Sequence, residues 1–291
     1  MTTAPRTTPH AATTTVAGPA AAARTYTAPS TLRIGRARAV LELRQFFRDK
    51  RVVFFAFSMP VVMFLLLASI FQEAVENTGV DSQQVYATGM LATGLLSTCF
   101  QTLALQVGGE RHNGTLKRLR CTPMPPAAYF LGKIAMVVVS SLCQAGVLLG
   151  LGAAFFGLDL PTDPGRWVTF TWVYLLGATA CTLLGLVCSN LIRGENGGPI
   201  VMLPILVLQF ISGVFVIFSD LPKGLQTFAS FFPLKWMCQG MRSVFLPDAY
   251  AAIEPAGTWE HGRTALVLGA WVVAGFIMCV KWFRWKGRDE G

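Results

Sequence analysis

Long apolar runs separated by short polar stretches dominate this chain. Six of the runs are long enough to predict membrane-spanning helices, because about 20 apolar residues in an α-helix cross the roughly 30 Å hydrocarbon core of a bilayer. They lie at about residues 52–71, 85–108, 129–156, 167–192, 199–218 and 265–280. The pattern therefore predicts an all-α integral membrane protein with six transmembrane helices.

The chain before the first run divides into a tail and a helix. Ala, Thr and Pro occupy 23 of the first 31 positions, and this composition predicts that residues 1–31 are disordered. From residue 32 to 51, apolar and basic side chains repeat on two faces, and this repeat predicts a basic amphipathic helix in the lipid headgroup region. A plain charged lead-in to the first span is the alternative. The two faces carry Val40, Leu43 and Phe47, and Arg44, Arg48 and Arg51.

A long amphiphilic segment, residues 219–263, separates the fifth and sixth runs. Its apolar part, residues 225–245, contains Lys235 and Arg242, and two charges make it too polar for a seventh span. Helices that dip into the membrane without crossing it are tolerated when they are buried in protein. The pattern therefore predicts a re-entrant helical hairpin between spans 5 and 6.

Composition and charge agree with a membrane protein and predict its orientation. Apolar residues make up 53% of the chain and charged residues 13%, whereas soluble domains carry about 25% charged residues. With six spans, 19 of the 24 Lys and Arg residues fall on the side of the two termini. The positive-inside rule makes that side cytoplasmic and the predicted hairpin extracellular. The net charge of +9 therefore reflects the topology of a multi-pass cell-membrane protein, not binding to nucleic acid.

The chain has no recognisable catalytic or nucleotide-binding motif. Its seven Cys residues form no CxxC pair, its three His residues are far apart, and no HExxH occurs. Gly109 and Gly114 have the spacing of a phosphate-binding loop, but Thr115 and Leu116 follow where that loop needs Lys and then Ser or Thr. We therefore expect no catalytic residue, metal or cofactor on this chain, and any use of ATP requires a partner.

A polar island at residues 107–133, which we call the elbow, joins the second and third runs. Residues 115–120 can form about a turn and a half of helix, and prolines at 123, 125 and 126 prevent that helix from continuing. A plain cytoplasmic loop would also be rich in cations. The elbow sets one carboxylate, Glu110, against five cations: Arg111, Lys117, Arg118, Arg120 and Lys133.

Short motifs follow one another through the elbow and the later part of the chain. In the elbow they are Glu110-Arg111, Gly114-Thr115-Leu116, Lys117-Arg118-Leu119-Arg120, Thr122-Pro123 and Gly132-Lys133. Further on they are Ser212-Gly213-Val214-Phe215, Leu221-Pro222, Phe232-Pro233-Leu234 and Met241-Arg242. Their order resembles that of the type-2 ABC transporter permeases, the membrane subunits of exporters. His112-Asn113 departs from the family, which often has a charged residue there.

This resemblance covers most of residues 32–285, which we interpret as one permease domain, with residues 286–291 as a cytoplasmic tail. It implies a dimer of identical or related permeases working with two copies of a cytoplasmic ATPase subunit, which holds ATP and magnesium. It also implies that the elbow helix is a coupling helix seated in a cleft of the ATPase, and that the N-terminal helix contacts the same subunit. The residues concerned are Glu110, Arg111, Gly114, Thr115, Leu116, Arg118, Leu119, Thr122 and Pro123 in the elbow, and Arg44, Phe47 and Arg48 in the interfacial helix.

Four polar side chains within the spans are candidates for a substrate path, because polar groups rarely face lipid. Hydrogen bonds between helices would explain them equally well. The resemblance favours the path, since these two spans border the cavity between permease protomers in the family. The candidates are Gln101 and Gln106 in the second span, and Gln209 and Ser212 at the fifth.

These observations lead to a functional hypothesis. We expect a non-enzymatic permease subunit that exports an amphiphilic small molecule (a drug, an antibiotic or a lipid-like compound) by alternating access driven by the separate ATPase. Two alternatives belong to other classes: a membrane scaffold or sensor that binds an ABC ATPase without transport, and a membrane-embedded lipid-modifying enzyme. The enzyme would need clustered acid, base or metal-binding groups near one membrane face, and the candidates in this chain are isolated.

Overall fold

The computed structural model describes residues 30–71, 74–75, 79–122, 124–192 and 197–282. The predicted C-terminal tail and all but the last two residues of the predicted N-terminal tail lie outside these residues. The helices are α1 (Thr31–Arg48), α2 (Lys50–Ile70), α3 (Ser82–Leu96), α4 (Leu103–His112), α5 (Thr115–Arg120), α6 (Pro126–Phe156), α7 (Pro164–Cys188), α8 (Gly198–Ile211), α9 (Lys223–Ser230), α10 (Pro233–Phe245) and α11 (His261–Trp282). A short antiparallel pair, β1 (Ala74–Val75) and β2 (Val80–Asp81), precedes α3.

Among the residues that the structure describes, five helical stretches are long and apolar enough to cross a membrane, and the prediction of an all-α membrane protein is confirmed. One stretch is continuous from α3 through the π-helical turns Ser97–Thr102 into α4. The predicted count of six spans is not confirmed. The stretches are Lys50–Ile70, Ser82–His112, Pro126–Phe156, Pro164–Leu191 and His261–Trp282.

The apolar helix α8 (Gly198–Ile211) is shorter than the fifth span predicted at residues 199–218. It has 14 residues, which at 1.5 Å per residue give roughly 21 Å, less than the hydrocarbon thickness. It ends at Ile211 because Gly213, two residues later, takes a φ of 78°. A left-handed glycine just beyond the last turn is a common helix stop. Residues 212–217 therefore do not continue the helix.

The segment predicted as a hairpin folds as α9 and α10, joined by two residues. Every residue of α10 is buried, since the helix packs against α3, α7 and α11. Gly240 permits this packing, because a Cβ there would lie 2.6 Å from Cγ1 of Val173. Helix α10 is thus an interior element although its sequence is amphiphilic. The side of the membrane on which it lies stays a prediction.

Helix α1 lies along the first half of α6. The contact is close, because a Cβ on Gly132 would lie 2.7 Å from Cγ of Arg38. The buried face of α1 carries Glu42 and Phe46. Val40 and Phe47, which the sequence pattern places on the apolar face, are exposed, as are Arg44 and Arg48. The outer surface of the helix is therefore both apolar and basic.

Candidate functional site

A left-handed glycine separates the two helices within the elbow. Helix α4 ends at His112, and Gly114 then takes a φ of 70°. That conformation is readily available to glycine and costly for other residues. It separates α5 from α4, so that α5 is a distinct helix of six residues over Thr115–Arg120.

The far end of α5 also has a defined stop. The hydroxyl of Thr122 donates to the carbonyl of Leu119 at 2.6 Å, which gives a partner to one of the helix's last carbonyls. Helix α6 then begins with Pro126 at its first position, where the missing N–H removes no hydrogen bond. Pro123 and the side chain of Arg120 lie outside the part of the chain that the structure describes.

The elbow helix has an anchored face and an outer face. Leu116 is completely buried, with 0% of its surface exposed, and Thr115 and Leu119 are half-buried. Lys117 and Arg118 are exposed on the opposite side. Leu116 therefore fixes α5 to the rest of this protein, while Arg118 and part of Leu119 remain available to a partner.

A buried charge network lies behind the elbow. The ammonium of Lys133 on α6 contacts Glu110 Oε1 at the end of α4 at 2.5 Å and Glu42 Oε2 on α1 at 2.8 Å. Glu42 also pairs with Arg38 at 2.6 Å, and the hydroxyl of Tyr129 donates to Glu110 Oε2 at 2.8 Å. Lys133 and Glu42 are 1% and 3% exposed, so water contributes little to their solvation.

This network joins three separate elements, α1, α4 and α6, through one lysine. Sequence analysis assigned Glu110 to contact with a partner, but the structure places it against Lys133 and Tyr129 of this chain. It assigned no role to Glu42. Two signals were present: Glu42 is the one carboxylate among the residues of α1, and Lys133 lies within an apolar run.

The neighbouring Arg111 makes a second internal connection. Its guanidinium donates to the carbonyl of Ser189 at 2.7 Å and to the hydroxyl of the same residue at 3.2 Å. Ser189 begins the 3₁₀ turn that follows α7. The end of α4 is therefore connected to α6 through Glu110 and to the turn after α7 through Arg111.

A cavity of about 200 Å³ lies among α2, the second span and α8. It brings together Gln101 and Gln209, which are 108 positions apart in the sequence and were both predicted to line a path. The rest of its lining is mostly apolar, including four methionines whose flexible side chains adapt to differently shaped ligands. The lining includes Met59, Met63, Met90, Met202, Ser97 and Phe215.

The other two path candidates do not line this cavity. Gln106 is half-buried further along the second span, and Ser212 is 1% exposed in the turn after α8. Neither the Gln106 Oε1 atom nor the Ser212 hydroxyl has a hydrogen-bond partner among the described residues. The structure thus divides the four candidates into a pair that shares a cavity and two separate residues.

The predicted interfacial residues Arg44, Phe47 and Arg48 are all exposed on the outer side of α1. None of them lies in the seam with α6, which is formed by Arg38, Glu42 and their neighbours. Their exposed surface is therefore distinct from the buried seam with α6.

A second buried ion pair lies in the segment after α8. Arg242 on α10 contacts Glu254 Oε1 at 3.1 Å and also donates to the carbonyl of Gly213. The two side chains are 3% and 2% exposed. On the same helix, Lys235 donates to Gln239 and lies 3.8 Å from the centre of the Trp236 ring. Burial lowers the pKa of Lys235, while Glu254 acts in the opposite direction.

Comparison with known proteins adds a family and one relative. A family model described as "ABC-2 family transporter protein" matches residues 76–281, which include the elbow, the cavity-lining part of α3 and α8, and the Arg242 pair. A Bacillus subtilis (strain 168) protein named "Putative transport permease YvfS" is 22% identical over 200 residues. The similarity covers 67% of this chain and 79% of that protein.

Proposed function

Because this chain belongs to the ABC-2 family of transporter proteins and is a multi-pass transport permease, we propose that it is the membrane subunit of an ATP-driven exporter. A separate cytoplasmic ATPase, present in two copies with ATP and magnesium, powers alternating access in a dimer of this permease. The substrate is an amphiphilic small molecule. The observation that carries the proposal is the geometry of α5, a short helix anchored by Leu116 with Arg118 exposed on its outer face.

The contacts around the elbow describe how a push on α5 reaches the spans. Arg118 and the exposed part of Leu119 contact the ATPase, while Glu110 and Arg111 act behind them. Because Glu110 is bonded to Lys133 on α6 and Arg111 to Ser189 after α7, displacement of α5 and α4 moves both of those spans. Helix α1 moves with them, since Glu42 shares Lys133.

The charge distribution favours the same surface for docking. Lys117 and Arg118 are both exposed on α5, and the sequence of α5 contains no acidic residue. An apolar contact at Leu119 rimmed by cations is the usual composition of a protein interface with an acidic partner. The exposed residues Arg44, Phe47 and Arg48 of α1 extend this surface on the cytoplasmic side that the positive-inside rule predicts.

The double substitution Arg118→Glu and Leu119→Asp is expected to reduce co-purified ATPase activity at least tenfold, about 1.4 kcal/mol. It reverses the charge and adds a carboxylate to the contact without touching Leu116 or Lys133. The measurement is affinity purification of the tagged chain from native membranes, followed by assay of ATP hydrolysis. Lys223→Glu is the matched control, because Lys223 is an exposed cation on α9, far along the chain from the elbow.

Three outcomes separate the candidate functions. Loss of the ATPase in the elbow variant, with Lys223→Glu unaffected, supports the proposal. Association that is equal in both variants would place the docking surface elsewhere. An ATPase that binds but is not stimulated by any amphiphile would favour a scaffold or sensor over a transporter.

The cavity lined by Gln101 and Gln209 is the proposed substrate site. Replacing both by Leu is expected to raise the amphiphile concentration needed for half-maximal ATPase stimulation about tenfold, because two neutral hydrogen bonds contribute about 0.5–1.5 kcal/mol each. The control is Gln106→Leu, which removes the same group from the same span outside the cavity. An equal effect of the control would mean that loss of polarity in the span, and not the cavity, changes stimulation.

A further inference from the structure

The corner between α1 and α2 carries a shallow basic surface that is separate from the elbow and shares only Arg48 with the α1 residues proposed to contact the ATPase. Asp49 separates the two helices, and an open depression of about 630 Å³ is lined by Gln45, Arg48, Asp49, Lys50 and Arg51. The three cations are exposed. We propose that this depression binds the headgroup of an anionic phospholipid.

The carboxylate within the depression is already engaged. Asp49 Oδ1 accepts hydrogen bonds from the backbone N–H groups of Arg51 at 3.1 Å and Val52 at 3.2 Å, so it caps the start of α2. Its orientation is set by the helix end, and it approaches none of the three neighbouring cations closely enough to form an ion pair that neutralises them. The depression therefore presents a net positive surface with an amide donor, Gln45, at its edge.

The position of the cations favours lipid over a soluble partner. The apolar part of the first span begins at Val52, directly after Arg51, so the depression lies at the depth of the phosphate groups when α2 crosses the membrane. Cations next to a span are attracted to anionic lipid headgroups, and each Lys or Arg near the surface contributes to this attraction. This argument rests on the membrane placement of α2 and not on the proposed export function.

Large apolar side chains flank the depression where acyl chains would lie. Phe54 and Phe55 on the first turns of α2 are 64% and 70% exposed, and Phe47 on α1 is 44% exposed. A lipid satisfies both features at once, because its phosphate meets Arg48, Lys50 and Arg51 while its acyl chains cover the phenylalanines. An acidic protein surface would cover the cations and leave the aromatic rings without a partner.

The test is native mass spectrometry of the full-length protein, purified in non-ionic detergent, with equal amounts of phosphatidylglycerol and phosphatidylcholine of the same acyl chains. We expect the wild type to retain phosphatidylglycerol preferentially. The triple variant Arg48→Gln, Lys50→Gln and Arg51→Gln should lose this preference by about tenfold or more, since each cation contributes to attraction of the anionic lipid. A matched variant removes three exposed cations elsewhere: Arg33→Gln, Arg36→Gln and Lys223→Gln.

Two further arms make the result decisive. The charge-conserving variant Arg48→Lys with Arg51→Lys should keep the preference, and added glycerol phosphate should fail to displace the bound lipid. Unchanged preference in the triple Gln variant, or equal loss in the matched variant, would overturn the proposal. Loss of the ATPase without loss of phosphatidylglycerol would also overturn it, because the depression would then face a protein.

Discussion

Lys133→Met is expected to destabilise the protein by about 3 kcal/mol, because it leaves two carboxylates without their shared cation in a desolvated seam. Glu42 is 3% exposed and Glu110 is 18% exposed, so water can compensate only at Glu110. Methionine retains most of the volume of lysine, which limits the effect of lost packing. A change of this size lowers the apparent melting temperature by roughly 6 °C or more, measured on the purified protein in detergent.

The control and a rescue variant test the cause. Arg36→Met removes an exposed cation from α1 and should change the melting temperature little, since single exposed charges contribute less than about 1 kcal/mol. Adding Glu110→Gln to Lys133→Met should restore part of the stability, because Glu110 is the carboxylate left without a cation, whereas Glu42 keeps Arg38. If Lys133→Met behaves like Arg36→Met, the network does not contribute to stability.

Arg242→Met is expected to destabilise the protein by a similar amount, about 3 kcal/mol, because Glu254, whose side chain is 2% exposed, would lose its buried cation partner. The same substitution removes the donor to the carbonyl of Gly213, which lies in the turn that ends α8. We therefore expect a lower melting temperature and faster proteolysis between α8 and α9, where residues 212–222 lose this attachment. Limited proteolysis with identification of the cut sites measures the second effect.

An exposed ion pair in the same segment provides the comparison. Asp248 is 84% exposed and lies 3.5 Å from Arg166, so Asp248→Asn should cost less than about 1 kcal/mol. The double variant Arg242→Met with Glu254→Met should be more stable than Arg242→Met, since both charges are removed together. Equal melting temperatures for Arg242→Met and Asp248→Asn would contradict the importance of burial.

The two buried ion pairs have a shared consequence for how the chain can move. Each joins elements that are distant in sequence. Lys133 connects α1, α4 and α6. Arg242 connects α10 to the turn after α8 and to Glu254. Separating the elements around either pair would leave buried charges with fewer partners, which is unfavourable. The elements around each pair are therefore expected to shift together as groups during transport.

The sequence by itself determined the class of protein and the local form of the elbow. Apolar runs of spanning length predict helices in a membrane. A backbone N–H or C=O group without a hydrogen bond is costly in lipid, and a helix pairs these groups internally. The helix Thr115–Arg120 was predictable because Gly114 and the following prolines act on their immediate neighbours. The exposure of Arg118 was also expected for a cation on a short surface helix.

Only the tertiary structure decided where the charged and polar side chains go. The sequence pattern placed Glu110 and Arg111 with the outward cations, yet the fold turns them towards Lys133 and Ser189. The fold also places Gln101 and Gln209 in one cavity, away from Gln106 and Ser212. The helix formed by the fifth apolar run ends at Ile211. These outcomes depend on contacts such as the one between Lys133 and Glu42, which are 91 residues apart. Periodicity describes which face of a helix is apolar, but the partner of a buried charge is selected by the packing of helices that are distant in the chain.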